Sequence, residues 1–185
     1  MAENLEQSQP ETGVRQPAPA LAALSPQESR LVGSNPDFAV ATIGSYVLLM
    51  WRKRIALQGV VWAKKAFADQ RRTRPDDKIS FLTVLHAECD LSTSAEVRKE
   101  LADLLSTYKD CLASAAIAFE GEGFRMTMVR SIITAVNMAT RMRFPNAVFG
   151  NTAEAVSWLH QRSTKADSSI RVHQLITTLD RIRRL

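Results

Sequence analysis

The sequence predicts one α/β domain, a mainly parallel sheet opened by an antiparallel hairpin with helices packed on it. Three observations carry this. Short runs of β-branched and aromatic residues alternate with longer segments of helical period. The middle runs are apolar almost throughout, as strands covered on both faces are. The composition, 45% hydrophobic and 23% charged over 185 residues, suits a chain that buries its own core.

Residues 1–34 open the chain and are expected to be a disordered tail. They are rich in Pro, Gln, Glu, Ala and Ser, with Pro10, Pro17, Pro19 and Pro26 interrupting any helix beyond a short turn near Pro26 to Val32. Four Glu against two Arg give this stretch a balance of −2. The domain is expected over residues 35–161. Phe38–Thr42 and Tyr46–Trp51 read as strands joined by the turn Ile43-Gly44-Ser45. Arg52-Lys53-Arg54 leads into a helix with Leu57, Val60, Val61 and Phe67 on one stripe and Trp62 on the opposite side. Ile79–Leu85 is the third strand, apolar enough from Phe81 on for a central place.

A second helix is expected from about Ser94 to Lys109, with Thr93 and Glu96 at capping-box spacing. Ala115–Phe119 reads as a buried parallel strand, and Phe124 to about Arg141 as a third helix filled by Met126, Met128 and Met138. Phe144–Phe149 is a short strand whose Pro145 suits a sheet edge. Asn151 and Glu154 then have N-cap spacing for a helix through Leu159.

Residues 162–185 form a linker and a basic amphipathic helix. Val172, Leu175, Ile176, Leu179 and Ile182 recur at helical spacing, flanked by Arg171, Arg181, Arg183 and Arg184. This last segment holds six Lys/Arg against two Asp/Glu, whereas residues 35–161 hold sixteen against thirteen. The body is thus near neutral, and its charge does not call for nucleic acid.

The element order resembles the STAS family, the fold of the anti-sigma-factor antagonists, in its divergent bacterial members. Three stretches carry the likeness: Val47 to Trp51; Ile117 to Arg125; and Phe144 to Phe149 leading into Ala155-Val156-Ser157-Trp158-Leu159. The resemblance implies non-enzymatic, regulatory binding of a protein partner. It also implies a phosphorylation switch near the start of the helix after the third strand. Ser92, Thr93 and Ser94 are the candidate phosphoacceptors there, although the family's usual Asp-Ser-Ser-Gly-type signature is absent. Helix capping explains the same residues.

Other constellations point to less. His86 and Cys89 have ligand chemistry but no second pair to complete a metal site. Glu120-Gly121-Glu122-Gly123 could offer backbone amides to an anion through Gly121 and Gly123, supporting an alternative reading as a small-ligand or lipid-headgroup binder. Its two glutamates oppose phosphate, and the P-loop ending is missing. No catalytic residue, metal or cofactor is expected. The apolar stripe of the last helix must cover its own domain, pair with a copy, dock on a partner or lie on an anionic membrane surface. Leu175, Leu179, Ile182 and Arg183 are the expected partner-binding residues. With two cysteines, no signal-like run and no membrane span, a cytoplasmic location is expected.

Overall fold

The computed structural model describes residues 29–121, 144–163, 167 and 169–185. The tail to residue 28 and the expected third helix, with its methionines, Glu122 and Gly123, lie outside the described residues.

The strands are β1 (Arg30–Ser34), β2 (Phe38–Ile43), β3 (Tyr46–Trp51), β4 (Ile79–Leu85), β5 (Leu112–Phe119) and β6 (Asn146–Phe149). They form one sheet in sequence order. β1, β2 and β3 pair antiparallel, whereas β3 through β6 pair parallel. The helices among the described residues are α1 (Leu57–Thr73), α2 (Ala95–Tyr108), α3 (Thr152–His160) and α4 (Val172–Arg183).

Strand alternation divides the core in two. Phe38, Val40, Val47, Leu49, Trp51, Phe81, Leu85 and Phe119 face α1 and α2. Phe67 of α1 locks this layer, lying 5.1 Å from Phe81 and 5.0 Å from Tyr108 of α2, centroid to centroid. Ala39, Ala41, Tyr46, Leu48, Met50, Leu82, Val84, Ala116 and Ala118 face α3 and α4. Both faces of β3 and β4 are therefore covered, which is why their sequences are apolar nearly throughout.

The β2–β3 turn is held from both sides. Gly44 adopts φ +54°, and a β-carbon there would strike Ile170. Gln70 of α1 donates to the Gly44 carbonyl at 2.9 Å, and buried Asp167 accepts from the Ser45 amide at 3.0 Å and from its hydroxyl.

Three expectations need correction. Arg30–Ser34 is a strand rather than the end of a tail or a helical turn. Its register with β2 slips at Val32, so Leu31 packs toward α3 and α4 while Val32 packs toward α1. On α1, Val61 is 54% exposed, whereas Trp62 is half-buried against Gly33. The third correction concerns α4. Leu175, Leu179 and Ile182, expected to face a partner, are 1%, 0% and 2% exposed. Their stripe covers the face of β2 and β3 that carries Ala39, Ala41, Leu48 and Met50. That burial also removes the apolar side with which α4 would lie on a membrane.

Candidate functional site

In parallel sheets, ligands gather beyond the carboxyl ends of the strands, where loops and helix termini converge. Here the register aligns Trp51, Leu85 and Phe119, so Arg52, His86 and Glu120 form the next row. Their amides partly continue the ladder, His86 donating to the Trp51 carbonyl and Glu120 to the Leu85 carbonyl, both at 2.9 Å. The aligned aromatic and leucine side chains face α1 and α2. Alternation therefore sends the next three toward α3 and α4.

Two of the three are held by those helices. Glu120 Oε1 accepts from the Thr152 hydroxyl at 2.6 Å, and the same oxygen accepts from Arg183 Nη2. Arg183 also pairs with Asp180, Nη1 to Oδ1, at 2.5 Å. Arg52 is half-buried, donating Nη2 to the Ile182 carbonyl and Nη1 to the Asn35 carbonyl at 2.8 Å. It thereby satisfies one of the carbonyls that the end of α4 leaves without a helical partner. Burial pushes its pKa below the usual guanidinium range.

The loop from β4 to α2 contains the candidate phosphoacceptors, and the three positions differ. Ser92 is exposed, but its hydroxyl donates to Asp90 Oδ2 at 2.8 Å, so a phosphate there would meet a carboxylate. Ser94, rather than Thr93, is the N-cap of α2, accepting from the Val97 amide at 3.2 Å. Thr93 is half-buried and faces a cation: Arg98 Nη1 donates to its carbonyl at 2.5 Å and reaches its hydroxyl at 3.4 Å. Only the Thr93 hydroxyl therefore has a hydrogen-bonded guanidinium beside it.

The remaining expected residues separate. Gly121 is required by packing, because a β-carbon there would collide with the Phe119 ring. His86 Nδ1 accepts from the Glu88 amide at 3.4 Å, and Cys89 is buried with its thiol toward the Asp90 carbonyl. Among the described residues no three His, Cys, Asp or Glu side chains gather as a metal would require.

A second polar cluster lies at the opposite end of the sheet. Tyr46 reaches His160 Nδ1 of α3 at 3.3 Å and bonds Ser163. Burial pushes its pKa to about 12, opposed by the Ser163 bond and reinforced by nearby Asp167. The hydroxyl of Ser45 goes to Asp167, not to His160, so no nucleophile–base pair forms there. This cluster anchors the α3–α4 connection on the β2–β3 turn.

Sequence reading missed Thr152 and Asp167 as contributors. Asn151 beside Thr152 carried a signal, since Asn151 does cap α3, accepting from the Glu154 amide at 2.8 Å. No family model and no curated protein matches the chain.

Proposed function

We propose that the chain is a non-enzymatic regulatory or scaffolding module that binds a protein partner. The observation that carries this is the state of Glu120, a carboxylate in the row just beyond the strands' carboxyl ends. Its Oε1 is bound by Thr152 and Arg183, so the group ties α3 and α4 to the sheet. A carboxylate held this way is a structural anchor and a poor proton shuttle. The resemblance of the chain to the STAS family, carried by the stretches around Val47, Ile117 and Phe144, points to the same class.

Regulation in this reading acts at the start of α2. A phosphate on Thr93 would gain the Arg98 guanidinium and the positive end of the helix. The test is affinity capture from the native cell with the full-length chain as bait. One specific protein, recovered in a ratio that changes with Thr93→Glu, supports the proposal. Enrichment of a small molecule with no protein would move the reading to a ligand-binding domain.

A further inference from the structure

The fold places a cation without a carboxylate of its own at the corner between β3, the β1–β2 loop and the end of α4. Arg52 donates to the Asn35 carbonyl, the Ile182 carbonyl and, at 3.4 Å, the Ser34 hydroxyl; all these acceptors are neutral. Its Nε is buried and has no hydrogen-bond partner. Burial alone accounts for its lowered pKa, with no opposing charge contributing. A half-buried cation whose partners are all neutral is incompletely compensated and favours an approaching anion.

Three more arginines lie on the segments that meet here: Arg54 two residues along the chain, and Arg181 and Arg184 on either side of Ile182, whose carbonyl Arg52 bonds. Arg54 leaves the end of β3 and pairs with Asp37 at 2.8 Å. Arg181 and Arg184 lie three residues apart at the end of α4, so they share a face; both are exposed. Among the described residues neither forms an ion pair, although Arg184 Nε donates to the Asp180 carbonyl at 3.1 Å. Counting Arg183, five arginines here (Arg52, Arg54, Arg181, Arg183 and Arg184) stand against three carboxylates, Asp37, Glu120 and Asp180, a local balance of +2 among the described residues. The C-terminal end of α4 contributes only about half a negative charge.

We propose that this corner recognises the carboxylates of an acidic segment of a protein partner. The proposal rests on the partner-binding reading above and adds where the partner docks and what it carries. Arg181, Arg184 and Arg54 would meet the carboxylates, whose two oxygens match the guanidinium fork. Arg52, donating into the fold, supports them from beneath with its charge. Nucleic acid fits less well, because the nearest rings, Phe38 and Trp51, are buried at 1% exposure and offer no stacking surface.

The experiment is fluorescence anisotropy of the full chain with a labelled oligo-glutamate peptide, against a single-stranded oligonucleotide, at low and physiological salt. The peptide is expected to bind more tightly. The double variant Arg181→Glu, Arg184→Glu should weaken it about tenfold, while Arg72→Glu at the far end of the sheet leaves it unchanged. Should the charge-reversed pair fail to fold, Arg181→Gln with Arg184→Gln should show a smaller loss in the same direction. Equal binding by the double variants and the wild type would overturn the proposal, as would tighter binding of the oligonucleotide. A native partner captured equally by the wild type and the charge-reversed bait overturns this docking site but leaves the partner-binding reading standing.

Discussion

Leu179→Ala tests whether α4 belongs to the domain. Leu179 is 0% exposed and packs in the core lined by Ala39, Ala41, Leu48 and Met50. Removing its isobutyl group loses the transfer free energy of the buried carbons and leaves a cavity. The adjoining sheet positions are partly alanine, and alanines have no rotamers with which to fill the space. A cost of about 3 kcal/mol is expected, in the lower half of the range for buried leucines. In a domain of this size that lowers Tm by about 6–12 °C. Urea unfolding followed by circular dichroism measures it, with the slope m checked for constancy so that a shifted midpoint reports stability. Val61→Ala, on the exposed side of α1, is the control and should cost less than about 0.5 kcal/mol. If Leu179→Ala costs no more than that control, α4 does not dock on the sheet and the packing argument fails.

Other outcomes follow from the polar contacts. Ser45→Ala removes the hydroxyl that Asp167 accepts and leaves a buried carboxylate short of a donor; a loss of about 2 kcal/mol is expected in the same urea assay. Asn151→Ala deletes the cap on the Glu154 amide and should cost about 1 kcal/mol, whereas Asn151→Asp should cost little. Tyr46 carries a pH signature. Its folded pKa is raised to about 12, so the unfolded chain loses this proton first as pH rises past the ordinary value near 10. Stability from this group is fully present below pH 10 and is lost between about 10 and 12, by about 2–3 kcal/mol. Wild type minus Tyr46→Phe, measured across that window, should fall with that slope, and a flat difference would contradict it.

Much of the fold was legible because its signals are local. β3 and β4 announce themselves as apolar runs, and Asn151 announces α3 three residues before the amide it caps. β1 was not legible: its five residues include Gly33, and the register slip at Val32 breaks the alternation by which a strand is read. The stripe on α4 was plain from Leu175, Leu179 and Ile182, but nothing in it says which surface covers it. That answer lies in Ala39 and Ala41, whose small side chains leave room for a helix. The polar contacts were least legible. Ser45 and Asp167 are 122 residues apart, and Glu120 finds its cation 63 residues on, so their pairing exists only once the sheet is assembled.

The docking corner and the partner-binding proposal meet in one measurement, hydrogen–deuterium exchange of the full chain alone and with its captured protein. The account predicts slowed amide exchange in residues 34–37 and 181–185, around Arg52, with the α1–α2 side of the sheet unchanged. Slowing confined to α1 and α2, or none anywhere, would contradict it.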